Sequence, residues 1–250
     1  MASPKIVYTD QSTMTYYALG GTTTNLNSYE PTDVWTSTVT TQNQHLYVDL
    51  GTAQTVGAVV LDNHNINSLT LDIGLSISGS TNGTSWTDIV TGLNSITADP
   101  YIYTFTGVSY RYVGINFKST APLDTEPIVG NFWVGNPLTF TTAYNWGYNI
   151  ENAEYATNEM TALNGTIRSS QAFAGRIIYE VQFTLQGNTF ATGFKTFHRG
   201  VRGSLYPFYF LDADGSTVRY MHIEDYTPIT VTRYGQNDVS LRMRTHLSTY

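Results

Sequence analysis

The chain reads as all-β: an N-terminal β-sandwich of jelly-roll type over residues 1–136, then a C-terminal β-sandwich or barrel with one short helix over residues 137–250. Three observations carry that expectation. Short apolar runs alternate with polar residues at period two and are punctuated by Gly and Asn turns. No segment before residue 137 repeats its apolar residues at helical spacing. Charged residues make up only 12% of the chain and aromatic residues 14%, with 19 Tyr, so there is ample apolar area for a core beneath a neutral polar surface.

The elements follow in order. HLYVDLG (45–51) alternates and breaks at Gly51. VGAVVLD (56–62) is nearly continuous in apolar residues, as a core strand should be, and LTLDIGLSIS (69–78) alternates over ten residues. STNGTSW (80–86) places Asn-Gly between strand-type runs, a turn signal because both residues tolerate positive φ. YIYTFTG (101–107) and YRYVGINF (110–117) add two strands. Gly135-Asn136-Pro137 marks the boundary. Beyond it, Tyr144, Trp146 and Tyr148 alternate, residues 151–165 fit either a loop or a short helix, and GRIIYEVQFTLQG (175–187) is a long strand. Phe190, Phe194 and Phe197 recur at i, i+4, i+7 within 188–203, the spacing of one helical face. Two strands joined at Asp212-Ala213-Asp214-Gly215 and two closing strands complete the chain.

Charge divides the halves. Residues 1–136 hold three Lys or Arg against ten Asp or Glu, whereas residues 137–250 hold nine of each, so the whole net charge of −7 lies in the first half. That balance excludes a nucleic-acid binder working by phosphate neutralisation. The absence of cysteine excludes disulfides and thiolate metal sites. The first residues contain no apolar leader segment and the chain no 18-residue apolar run, so synthesis in a reducing cytoplasm without a membrane span is expected.

Few stretches carry chemistry. The strand VVLDNHNINS (59–68) ends in Asp62-Asn63-His64-Asn65; these polar groups suit either a turn that satisfies backbone groups or a ligand loop at a sandwich rim, with Asn63, His64 and Asn65 as the candidate contacts. Asp212-Ala213-Asp214-Gly215 is a hairpin turn, since the acidic residue that closes a calcium loop is missing. The five histidines form no metal-ligand spacing, and no nucleophile or phosphate-loop motif occurs, so neither an enzyme nor a cofactor or metal is expected. Arg199 and Arg202, at a helix end, suit either the helix dipole or a contact with a neighbouring subunit.

Residues 24–135 resemble the discoidin-like, galactose-binding-like jelly-roll domains found in phage structural proteins. The carriers are Trp35-Thr36-Ser37, then Asp49-Leu50-Gly51, His64-Asn65 and the hairpin reaching Trp86, with Trp35, Asp49, Gly51 and Trp86 as fold markers. The resemblance implies a domain that binds sugar or lipid in some members and is a bare scaffold in others. YEVQFTL, the Phe-rich helix and SLYPFYFLDADG are similar to the sandwich-plus-helix module of phage distal tail and tail-tube-type proteins. That similarity implies a homo-oligomeric ring, commonly a hexamer, of a virion structural protein in a tail tip or baseplate, with the acidic domain turned outward toward other tail proteins or a host-surface glycan. A carbohydrate-binding module, a capsid decoration protein and a tail terminator are the alternatives.

Overall fold

The computed structural model describes residues 3–9, 14–38, 43–93, 96–143, 149–153, 157–161, 167–171, 176–233 and 235–246. The first half contains β1 (Lys5–Val7), β2 (Thr15–Ala18), β3 (Trp35–Thr36), β4 (Gln44–His64), β5 (Gly74–Ser80), β6 (Thr87–Leu93), β7 (Tyr101–Lys118) and β8 (Ile128–Gly135). The strands expected over 45–51 and 56–62 are one strand, β4, and those over 101–107 and 110–117 are one strand, β7. The break at Gly51 is a bend: its φ is 75°, and a Cβ built there meets nothing within 4 Å, so glycine serves the backbone angle rather than a close contact. Residues 51–55 are exposed, and the ladder between β4 and β7 shifts register between Asp49 and Gln54.

The bend lets both long strands serve two layers of a sandwich. Gln44–Asp49 of β4 pairs with Tyr112–Phe117 of β7, with β2 on one side and β5 and then β6 on the other. Ala58–His64 of β4 pairs with Tyr101–Thr104 of β7 and with β8, which carries β3. Alternation sends Leu46, Val48 and Leu50 inward from the first layer and Val59, Leu61, Phe132 and Val134 inward from the second, around buried Trp35, Ile115 and Phe117.

The strand expected over 69–78 begins only at Gly74. Residues 66–68 form a single tight turn, and Leu69 reaches the core from a loop. Asp72 leaves the period to accept a hydrogen bond from Thr120 N at 2.8 Å, and Ile73 points to solvent. The Asn82-Gly83 hairpin forms as expected: Gly83 has φ 75°, and Asn82 Oδ1 accepts from Thr84 N and Ser85 N.

The second half adds β9 (Leu138–Thr139), β10 (Asn149–Ala153), β11 (Thr157–Thr161), β12 (Ile167–Gln171), β13 (Arg176–Gly187), α1 (Asn188–Gly200), β14 (Phe208–Leu211), β15 (Val218–Arg233) and β16 (Gln236–Thr245). Within 151–165, the described residues are strand rather than helix, and the alternating Tyr144, Trp146 and Tyr148 lie outside the described residues. A seven-stranded antiparallel sheet runs in the order β10-β13-β16-β15-β14-β1-β9, and β11 pairs with β12. β1, from the extreme N-terminus, thus sits between β14 and β9 in the sheet of the second half. The Asp214-Gly215 turn joins β14 to β15, with Asp214 Oδ1 accepting from Ser216 N and Thr217 N.

Helix α1 lies on one face of this sheet. Its expected apolar face is buried: Phe190, Phe194 and Phe197 pack with Phe208, Phe210, Met221, Ile223 and Leu241. The chain leaves the helix through Arg202 and Gly203, both in the left-handed region, and Gly203 N closes on His198 O at 3.0 Å. The other face meets the outer side of the second jelly-roll layer, where Val7 and Tyr209 pack with Ala58, Val60 and Trp133.

Phe197 has no exposed surface and contacts Tyr8 and Phe208 edge-on at ring distances of 5.2 and 5.1 Å. Phe197→Ala is expected to lower the unfolding free energy by about 3–5 kcal/mol, measured by urea titration; a loss below about 1 kcal/mol would mean that α1 is not anchored through this ring.

Candidate functional site

The polar end of β4 lies where the jelly-roll rim meets the second sheet. Asp62 points outward from its layer, like Val60 and Ala58 before it, and is 8% exposed. Its Oδ2 accepts a 2.6 Å hydrogen bond from the Tyr209 hydroxyl, which in turn accepts one from Asn131 Nδ2 at 2.7 Å. Burial raises the Asp62 carboxyl to about 6; the Tyr209 hydrogen bond opposes the shift and the neighbouring Asp99 charge adds to it.

The next three residues tie the rim loops together. Asn63 takes φ 50°, donates through Nδ2 to Pro31 O at 2.8 Å and through its backbone N to Asp99 Oδ1 at 2.7 Å. His64 Nε2 lies 3.1 Å from Ala98 O, so the neutral ring carries its proton on that nitrogen; burial lowers its pKa, with Asp99 opposing. Asn65 donates to Glu126 O and accepts from Ile128 N, both at 2.8 Å. Asn63, His64 and Asn65 thus join three separate loops, where the sequence suggested a turn bonded to its own backbone.

Above them opens a cleft of about 260 Å³. The jelly roll contributes Pro31, Thr32, Asp62, Asn63, Asp99 and Pro100, and the second sheet contributes Arg219, Tyr220, Thr245 and His246. The second-sheet residues are held firmly. Arg219 pairs with Asp212 at 2.5 Å and lies over the Tyr179 ring at 4.6 Å. Tyr220 donates to Tyr29 O at 2.6 Å, and His246 stands between Glu30, 3.3 Å away, and His222, 2.7 Å away. Of the residues expected as contacts only Asn63 lines the cleft, and of the other lining residues only Asp62 stood out in the sequence; Thr32, Asp99, Arg219, Tyr220 and His246 did not, nor did Pro31, Pro100 and Thr245. The one available signal was Asn131, a lone amide inside the apolar run IVGNFWVG.

The remaining marked residues lie elsewhere. Trp35 is buried, and its Nε1 donates to Gly20 O at 3.1 Å. Asp49 receives a two-pronged hydrogen bond from Arg111 at 2.9 and 2.8 Å, and also one from Gly51 N. Trp86 stands on the outer face of the first layer against His45 and Tyr47. Arg199 and Arg202 are exposed at the end of α1. Among the described residues no cluster of His, Asp and Glu has the arrangement of a metal site, and no helix is long and apolar enough to cross a membrane.

The Asp62 carboxyl has a sharp consequence. In the folded chain it binds a proton near pH 6, but in the unfolded chain only near 3.8. Between those values the folded state holds the extra proton, so the Asp62 contribution to stability declines as pH rises from about 4 to about 6, by on the order of 3 kcal/mol at most. Asp62→Asn removes this decline. The unfolding free energy of the variant relative to the parent is expected to rise by about 1–3 kcal/mol between pH 4 and pH 7, measured by urea titration at each pH. A difference independent of pH would show that Asp62 titrates normally.

Residues 17–115 match the model of a family described as the NedA-like, galactose-binding domain. No curated protein sequence matches the chain. Among solved structures, chitosan-binding module 1 of a chitosanase/glucanase from Paenibacillus sp. IK-5 aligns at 24% identity and a TM-score of 0.40, over 52% of this chain and 100% of that one. The family 32 carbohydrate-binding module of Clostridium perfringens NanJ, solved with galactose, aligns at 16% identity and 0.42, over 52% and 98%. The C. perfringens module CpGH89CBM32-5, solved with GalNAc-β-1,3-galactose, aligns at 12% and 0.43, over 52% and 99%. Over residues 17–115 the N-terminal sandwich is thus similar to galactose-binding-like jelly-roll domains.

Proposed function

We propose that the chain is a glycan-binding protein without catalytic activity, whose jelly roll takes a galactose-type sugar at the rim cleft. The lining of that cleft carries the reading. A sugar needs donors and acceptors for its hydroxyls and an apolar surface for its C–H face. Asp62, Asp99 and Asn63 offer acceptors, Arg219 and Asn63 offer donors, and Pro31, Pro100 and Tyr220 offer apolar surface. The family match over residues 17–115 supports the same ligand class. A glycan array probed with the full chain, followed by calorimetry with galactose, tests it. Thr32→Trp, which fills the cleft, is expected to weaken galactose binding about tenfold or more while leaving the thermal midpoint within a few degrees. An array that retains no galactose-terminated glycan would count decisively against this ligand.

A second reading is favoured by the end of α1. Arg199, Arg202 and Leu205 are exposed there, and among the described residues no carboxylate pairs with either arginine; Arg202 lies over the Tyr206 ring at 5.2 Å. A basic patch with an apolar centre suits head-to-tail contact between copies. On this reading the chain is a virion structural protein of a phage tail tip or baseplate that forms a ring, contacts other tail proteins and presents its jelly roll to a host glycan. Negative-stain images of the purified chain are expected to contain closed rings that the double change Arg199→Glu, Arg202→Glu abolishes. Monomers at every concentration would rule the ring out.

A further inference from the structure

The outer face of the first jelly-roll layer shares no residue with the rim cleft. Period-two alternation along β4 and β7 sets its side chains in rows. His45 lies beside Asn116 and then Ser76, and Tyr47 lies beside Gly114, Ser78 and then Asp88. Trp86, from the β5–β6 hairpin, stands over these rows. Its ring meets His45 edge-on at 4.3 Å and Tyr47 at 5.1 Å, and Tyr17 stacks on Tyr47 at 5.1 Å. Gly114 makes the arrangement possible: a Cβ there would lie 2.4 Å from His45 Nε2. Between Trp86, Asn43, His45, Asp88, Asn116 and Lys118 is a cavity of about 340 Å³, at the small end of the roughly 300–1,000 Å³ of small-ligand sites.

We propose that this face is a second saccharide site, which takes a neutral pyranose unit against Trp86 independently of the rim. Five features select that ligand. The half-buried Trp86 ring offers a flat apolar surface to a C–H face. Lys118 and Asp88 pair at 2.8 Å, so the cavity wall carries no unbalanced charge and does not favour an ion. The excess of carboxylates in residues 1–136 further disfavours a polyanion. His45 Nε2 is buried without a hydrogen-bond partner, and burial lowers the ring's pKa to about 4, so the neutral imidazole has one donor and one acceptor nitrogen. A hydroxyl satisfies Nε2 in either tautomer. Asn116, which donates to Ser78 Oγ at 2.8 Å, keeps its amide oxygen for a second hydroxyl.

The full chain is titrated by calorimetry with galactose, glucose, N-acetylglucosamine and their β-linked disaccharides, and the imidazole signals of His45 are followed by NMR. At least one of these probes is expected to bind the parent and Thr32→Trp equally, to shift the His45 signals, and to lose about tenfold or more in affinity in Trp86→Ala, with most of it kept in Trp86→Phe. Circular dichroism checks that Trp86→Ala folds; should it not, Asn116→Ala gives the same comparison with the aromatic cluster intact. Binding that is lost in Thr32→Trp and untouched by the Trp86 and Asn116 variants overturns this site and leaves the rim reading standing. Binding lost only in the Trp86 and Asn116 variants supports this site and overturns the rim. Absence of binding by every probe overturns both.

Discussion

One layer of the jelly roll is apolar on both faces, and covering its outer face organises the molecule. β8 is buried along nearly its whole length, with Phe132 turned to the sandwich core and Trp133 turned away from it. A strand buried on both sides cannot end a domain; something must lie on it. Here that is the sheet of the second half, which sets Tyr209 edge-on against Trp133 at 4.8 Å and stacks Tyr220 on Tyr209 at 4.5 Å. β1 also belongs to this second sheet, so strands of that sheet flank the jelly roll on both sides in the sequence.

The same contact explains the chemistry of the rim. Packing that buries Val60 and Trp133 also carries Asp62 and Asn131 out of water, because they alternate with those residues on the same face. A carboxylate removed from water is costly unless it is hydrogen-bonded or protonated. Tyr209 meets part of that need, and the raised pKa of Asp62 reflects what remains. The jelly roll and the second sheet thus share one cleft: its acidic wall comes from the jelly roll and its cationic and aromatic wall from the second sheet.

The other layer solves a different problem. Among the described residues no second sheet meets its outer face, and polar residues cover it: Asn116 donates to Ser76 and Ser78, with Tyr and Trp rings laid across them. Ser76, Ser78 and Ser80 are buried even though they face outward, because the β5–β6 hairpin folds Trp86 and Asp88 over that side. The two layers therefore present two unlike outer surfaces, one covered by the second sheet and one lined by polar residues and aromatic rings.

Much of the fold was legible from sequence. Period-two alternation located most strands, Asn82-Gly83 and Asp214-Gly215 located two hairpins, and Phe190, Phe194 and Phe197 located the helix. Legibility failed where a residue answered to a distant partner. Leu69 and Leu71 look like strand positions, but Asp72 caps a loop near Thr120, so the strand starts later. The polar run after Leu61 was visible, but its role was not, because Asn63, His64 and Asn65 bond to loops more than thirty residues away in the chain. The sequence by itself determined the all-β class, the turns, the single described helix and the uneven charge, since each depends on residues within a few positions of one another. Only the tertiary structure decided which polar groups meet beneath the rim: Asp62 and Tyr209 are 147 positions apart, and burial of Trp133 between two sheets is what brings their oxygens to 2.6 Å.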